Sequence, residues 1–221
     1  MYFITPPKIA MAMHSRKIWW RIPGEGRKLY LSFDDGPVPE VTLPLLDILR
    51  DQGVKATFFC VGENVFNHYP VYQQLIEEGH RCGNHTYNHL NGWKTPTETY
   101  LGNTERCSRL VPSGLFRPPH GRIRPPQTRA LLRQFHIIQW SVLSGDFDPR
   151  NSPEKCLKNC LDHLKAGNIF VFHDSLKAAS TMLEVVPEFI REARKAGFDF
   201  SLIPEMPGVD PKPVNRHAEA G

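Results

Sequence analysis

Acids, imidazoles and one guanidinium recur in this chain where short apolar runs give out. Asp34 and Asp35 stand side by side before Gly36-Pro37, and His85 and His89 are four residues apart. Arg117 and His120 flank Pro118-Pro119, Asp146 follows Gly145, and His173 closes the run through Val171-Phe172. Two ionised carboxylates that close repel each other unless a cation intervenes or one keeps its proton. Residues four apart share a face of a helical turn, the spacing with which two imidazoles grip one metal ion. Taken singly, Asp-Gly-Pro also suits a plain turn, and His-x-x-x-His is a weak signal. With a carboxylate from another strand end, the two histidines make a two-His, one-carboxylate site with open positions for water. Zn2+ hydrolases and non-haem Fe(II) oxygenases use such sites. Cys82 lies three residues before His85 but in an apolar run, where a buried thiol is the better reading.

The elements that must position these groups alternate along the chain. Short β-branched and apolar runs at 29–33, 56–60, 80–83, 115–117, 136–140, 168–172 and 198–202 read as strands. Helical periodicity covers 40–52, 64–78, 97–110, 126–134, 152–165 and 183–195. Ser152-Pro153 is a helix start, and Gly53, Gly79, Gly167 and Gly197 follow helical stretches as stops. Strands separated by helices imply a parallel α/β protein, either a barrel or a doubly wound sheet. In a parallel barrel, chemistry gathers at the carboxyl ends of strands, and the clusters above fall at such ends. Trp19-Trp20 followed by Pro23-Gly24-Glu25-Gly26 reads as a hairpin leading into the first strand. The expected division is an arm and hairpin over 1–28, one domain over 29–205, and a flexible tail over 206–221.

Composition narrows the classes. The 221 residues are 40% hydrophobic and 23% charged, with a net charge of +4. That is globular composition, not that of a disordered chain, coiled coil or collagen. Charges of both signs interleave without a basic stripe, so no nucleic-acid partner is expected. No apolar run approaches the ~20 residues of a spanning helix, and Pro6-Pro7 breaks the first apolar stretch. No membrane association is expected, and the location reads as cytoplasmic, or extracytoplasmic if a leader precedes the chain. Five cysteines at irregular spacing form no disulfide framework and lean toward a reducing compartment; Cys156 and Cys160 read as buried thiols. Phe58, Phe59, Trp140, Phe170 and Phe172 read as strand core. Trp93, in a polar loop, is a candidate platform for a sugar ring. His14, His68, His136 and His163 read as surface or core residues.

The ordered segments Ser-Phe-Asp-Asp-Gly-Pro (32–37), His-Thr-x-x-His (85–89), Arg-Pro-Pro-His-Gly (117–121), Trp-Ser-Val-Leu-Ser-Gly-Asp-Phe (140–147) and Val-Phe-His-Asp (171–174) resemble the five motifs of the polysaccharide deacetylase family, the NodB-homology, family 4 carbohydrate esterases. The resemblance implies a distorted, incomplete (β/α)7 barrel. It also implies a metal-dependent hydrolase that removes acetyl groups from an N-acetylated, GlcNAc-type oligo- or polysaccharide. It casts Asp34 as catalytic base, and Asp35, His85 and His89 as ligands of one divalent ion, Zn2+ first, with Co2+, Ni2+ or Mn2+ as alternatives. Arg117 would orient Asp34, the backbone N–H of His120 would meet the oxyanion, and Asp146 would tune His173, the general acid. The chain departs from the usual motifs at His120 (usually Tyr), Leu143 (usually Asp) and Phe147 (usually Trp). Val171, two residues before His173, is the apolar residue of the last motif. These departures bear on the acyl pocket and the sugar preference. Rival readings are hydrolysis of another C–N amide or imide bond in a small molecule, O-acetyl ester cleavage on a polysaccharide, or a catalytically silent sugar-binding protein.

Overall fold

Alternation along the first long strand decides what faces the helices and what faces the interior of the barrel. The structure, a computed structural model, describes residues 2–7, 18–24 and 26–205. Its strands are β1 (Ile18–Trp19), β2 (Lys28–Asp34), β3 (Thr57–Cys60), β4 (Arg81–Asn84), β5 (Leu115–Phe116), β6 (His136–Ile138), β7 (Val142–Leu143), β8 (Ile169–His173) and β9 (Asp199–Phe200). On β2, Leu29, Leu31 and Phe33 point outward into one large apolar cluster with Leu45, Leu49, Phe189 and Ile190. Tyr30 points the other way, into a plug with Phe59, Leu115, Ile138, Ile169 and Ile203. Because side chains alternate with period 2, Ser32 and Asp34 continue the inward row above that plug. Each buried Leu or Phe contributes about 1.5–3 kcal/mol, so this division fixes the register.

Every ladder between named strands is parallel. The order is β1-β6-β5-β4-β3-β2-β8-β7, with β9 beside the start of β2, and the sheet curls into an incomplete barrel. The outer layer is α1 (Pro39–Asp51), α2 (Gly62–Asn67), α3 (Tyr69–Glu77), α4 (Thr97–Ser108), α5 (Pro125–Leu131), α6 (Pro153–Leu161) and α7 (Ala179–Lys195). The Ser152 hydroxyl caps α6 by accepting from the Lys155 amide at 3.3 Å.

Three expectations need correction. Among the described residues, the hairpin before the first strand does not form. Ile18–Trp19 instead pairs in parallel with β6, opposite Ile137 and Ile138. Ile22 donates its amide to the Gly167 carbonyl at 2.9 Å, which ties this segment beneath β8. The helix expected over 64–78 is two helices, divided at His68, whose φ of −126° and ψ of 42° leave the helical region. The run 136–140 is cut short: β6 ends at Ile138, Trp140 lies beyond it, and β7 follows as a strand with no sequence signal of its own. All five cysteines are buried and unpaired. No helix among the described residues is long and apolar enough to cross a membrane. His14 and the tail over 206–221 lie outside the described residues.

Candidate active site

Parallel pairing of β2 with β8 sets Asp34 directly opposite His173 at the carboxyl end of the barrel. Beneath Asp34 lies Arg117, which has no solvent exposure. Its Nη1 donates to Asp34 Oδ1 at 2.6 Å and to Ser32 Oγ at 2.9 Å. Nε and Nη2 donate to the carbonyls of Ile138 and Gln139, and the guanidinium lies 4.0 Å from the Phe59 ring centre. Burial pulls the Arg117 pKa down while the Asp34 carboxylate opposes it, and a guanidinium keeps its charge in proteins. The pair therefore holds Asp34 by one oxygen with its carboxylate at the cleft.

One residue on, Asp35 leaves the strand in the left-handed region at φ 85°. Its Oδ1 lies 3.1 Å from His89 Nε2 and 3.7 Å from His85 Nε2. One ligand atom from each of the three lies within 4.8 Å of the others. His85 Nδ1 is 2.8 Å from the Arg117 carbonyl, which can only accept, so Nδ1 carries the proton and Nε2 presents its lone pair toward Asp35. Burial, with help from His89 and Arg117, lowers the His85 pKa to about 4 and keeps the ring neutral. Burial alone would raise the Asp35 pKa; the hydrogen bond from His89 and the neighbouring imidazoles reverse that and hold it below the ordinary carboxylate range. The His85 lone pair, the His89 imidazole, which can give up its Nε2 proton to a metal, and one carboxylate suit a divalent ion of the zinc class, with coordination positions to spare for water. The backbone carbonyl behind His85 is the usual outer partner of a ligating histidine.

His85 and His89 do not share a helical turn, contrary to the spacing argument. They lie in a loop, with Thr86 at φ 63° and His89 at φ 53°. Side chains take the amides that a helix would have used. Asn84 Oδ1 accepts from the Thr86 amide, Thr86 Oγ1 from the Leu90 amide, and Asn103 Oδ1 from the amides of Tyr87 and Asn88. Among the described residues, the non-glycine positions with positive φ are Asp35, Thr86, His89 and His120, all at this site. Such backbone costs free energy and gathers where function requires it.

On the opposite side, Asp146 grips His173 twice: Oδ1 takes Nδ1–H at 2.8 Å and Oδ2 takes the backbone amide at 2.7 Å. Ser144 Oγ donates to the same Oδ1. Burial would lower the His173 pKa, but the charge and hydrogen bond of Asp146, reinforced by Asp35 and Asp34, raise it to about 9. The ring is an imidazolium at neutral pH, with Nε2–H left for the cleft. Next to it, buried Asp174 accepts from the Gly36 amide at 3.0 Å and from Thr42 Oγ1 at 2.8 Å. A Cβ at Gly36 would collide with that carboxyl group, so the turn after Asp35 requires glycine. Burial raises the Asp174 pKa to about 8.

These groups surround a cleft of about 430 Å3. Asp34, Asp35, His85, His89, His120 and His173 line its polar side, and Tyr2, Trp140, Leu143, Phe147 and Val171 its apolar side. Arg122, Ser175 and Lys177 also line it. Arg117 and Asp146 sit buried behind the residues they hold. The His120 ring packs 4.6 Å from that of His89, and burial lowers its pKa. Trp93 is exposed and does not line the cleft; the Arg122 guanidinium lies over its ring at 5.2 Å. Trp140, read from sequence as core, lines the cleft instead, because β6 ends before it. Tyr2, Arg122 and Lys177 were not singled out from sequence, and Asp174, quoted within the 171–174 segment, was given no role. Asp174 had a visible signal in its place beside His173, whereas Tyr2 had none.

A family model described as polysaccharide deacetylase matches residues 21–137, more than half the chain. The chain belongs to the polysaccharide deacetylase family of hydrolases. It is similar to a peptidoglycan-N-acetylglucosamine deacetylase of Bacillus cereus, 29% identical over 86% of this chain and 92% of that protein. A chitooligosaccharide deacetylase of Rhizobium leguminosarum is 32% identical over 77% of each chain. The peptidoglycan-N-acetylglucosamine deacetylase of Listeria monocytogenes is longer: the chain matches it at 30% identity but spans 39% of its length. Among solved structures, a peptidoglycan N-acetylglucosamine deacetylase superimposes with a TM-score of 0.79 at 30% identity, covering 85% of this chain and 91% of that one.

Proposed function

We propose that this chain hydrolyses the N-acetyl group of a GlcNAc-type glycan. The observation that carries the reading is the placement of Asp34 and an imidazolium His173 across the ladder from each other, beside the Asp35, His85 and His89 cluster. Asp35, His85 and His89 would hold a divalent ion, which, when bound, supplies a lowered water pKa and a positive charge near the acetamide oxygen. Asp34, oriented by Arg117, takes the proton of the attacking water. The amide N–H of His120 donates to the carbonyl oxygen as charge grows on it, a contact worth about 3–4 kcal/mol in comparable sites. His173 gives its Nε2 proton to the departing nitrogen, which leaves as a neutral amine rather than an amide anion. Asp146 holds the imidazolium ready and in one tautomer. The C–N bond breaks, and acetate and a free amino sugar result. Trp140, Leu143, Phe147 and Val171 offer the apolar surface for the methyl group.

Arg122 and Lys177 form no ion pair with an acid among the described residues, although both line the cleft. Unpaired cations there favour a glycan that carries carboxylates, as peptidoglycan does, over a neutral chitin oligomer.

The test is to count acetate and free amine released from peptidoglycan fragments and from N-acetylglucosamine oligomers, using wild type and Asp34→Asn. Equal acetate and amine from wild type, falling by two or more orders of magnitude in the variant, is expected. Acetate without amine would mean O-acetyl ester cleavage, and turnover unchanged in Asp34→Asn would refute the assigned base.

A further inference from the structure

The N-terminal segment reaches the active-site cleft. Ile4 accepts the Leu143 amide at 2.8 Å, so residues 2–6 run along the outer edge of β7, the last strand of the sheet. This brings Tyr2 to the loop that carries Asp146. Its hydroxyl donates to Asp148 Oδ2 at 3.1 Å and accepts from Asn151 Nδ2 at 2.8 Å. A Cβ at Gly145 would press on Asn151 Nδ2 and the Tyr2 hydroxyl, so the loop closes tightly around that oxygen. The Tyr2 ring lies 5.0 Å from Phe147, and Phe147 lies 5.0 Å from the His173 imidazole. Three rings therefore run in series from the general acid to the N-terminal segment, along the apolar side of the cleft.

We propose that Tyr2 determines acyl specificity: with Phe147 it bounds the pocket that receives the acyl chain, so the cleft admits acetyl and excludes longer acyl groups. This rests on the deacetylase reading. Tyrosine suits the task, since its two anchored hydrogen bonds fix a large flat ring that cannot yield to an extra methylene. Phe147 alone lacks such a tether.

The experiment compares amine release from N-acetyl, N-propionyl and N-butyryl glucosamine oligomers by the full chain with an untagged N-terminus. Wild type, Tyr2→Ala and Tyr2→Phe are assayed side by side. Tyr2→Ala should raise the butyryl-to-acetyl ratio of kcat/KM by about tenfold or more, the scale for one or two methylenes in an apolar pocket. Tyr2→Phe keeps the ring against Phe147 but removes both hydrogen bonds, and should raise the ratio by a clearly smaller factor than Tyr2→Ala. The ratio normalises each variant to its own acetyl activity, so partial loss of folded protein does not imitate the result. An unchanged ratio in Tyr2→Ala, or an equal shift in Tyr2→Phe, would overturn the inference while leaving the deacetylase reading intact. Silence of wild type on all three substrates would overturn both.

Discussion

Replacing Asp146 with asparagine removes the charge that keeps a buried imidazole protonated. Burial on its own lowers the His173 pKa; Asp146 is the foremost group opposing it, and the net result is a rise from 6.5 to about 9. That rise corresponds to roughly 3 kcal/mol in favour of the imidazolium. Asparagine presents one carbonyl oxygen where two donors, the His173 amide and Nδ1–H, now meet two carboxylate oxygens. One donor is then left facing an NH2 group, and the imidazole pKa falls below about 6.5, its unperturbed value. At pH 7.5 the protonated fraction drops from nearly all to less than about a tenth, so kcat/KM falls tenfold or more. The sign for stability follows from a folded pKa above the unfolded one. Wild type holds the full contribution of this pair below about pH 6.5 and loses it as pH rises through about 9. The variant lacks that decline. The assay is the pH profile of kcat/KM on N-acetylglucosamine oligomers, with an NMR titration of His173 as the reading independent of turnover. An alkaline limb still near pH 9 in Asp146→Asn would refute the assignment of His173 as an Asp146-tuned acid.

Other perturbations read the supporting structure. Arg117→Met leaves the Asp34 carboxylate buried without its partner and should cost about 3–5 kcal/mol, a fall in Tm of roughly 10 °C. Adding Asp34→Asn should recover part of that loss, because the two residues are in contact and their effects do not add; full additivity would contradict the pairing. Asp174→Asn mimics the neutral acid, with Oδ1 accepting from Gly36 and Nδ2 donating to Thr42. Since the Asp174 pKa is raised to about 8, wild type should lose stability as pH climbs from about 4 through 8, and denaturant titrations should show the variant without that loss. Arg122→Gln with Lys177→Gln should raise KM for peptidoglycan fragments several-fold and leave KM for neutral oligomers unchanged, and a uniform rise on both would remove the case for an acidic substrate.

Residue types did most of the work that sequence could do. Asp34, Asp35 and His173 are legible because a strand that ends in charged residues announces a carboxyl-end site, and the alternation of Leu29, Leu31 and Phe33 with Tyr30 and Ser32 tells which side they share. The loop holding His85 and His89 is not the helical turn that its spacing suggests, since Asn84 and Thr86 cap its amides locally and Asn103 does so from α4, a helix that periodicity finds but whose packing against this loop it does not place. Two-residue strands such as β1 and β7 are too short to carry a pattern, and the turn residues Pro23-Gly24 suggested a hairpin where long-range pairing with β6 prevails. Tyr2 and Asp148 are 146 positions apart, and no local rule connects an N-terminal aromatic to a loop in the far half of the chain. Trp140 shows the same difficulty in reverse, since an aromatic at a strand's end faces core or cleft according to where the ladder stops.

Metal content tests the core of this account most directly. Elemental analysis of the purified chain, beside His85→Ala/His89→Ala purified identically, should give close to one divalent ion per chain for wild type and almost none for the variant. A chelator should abolish acetate release, and added Zn2+ should restore it in wild type alone. Wild type without a stoichiometric ion, or a double variant that retains one, would contradict the assignment of Asp35, His85 and His89 as a metal site.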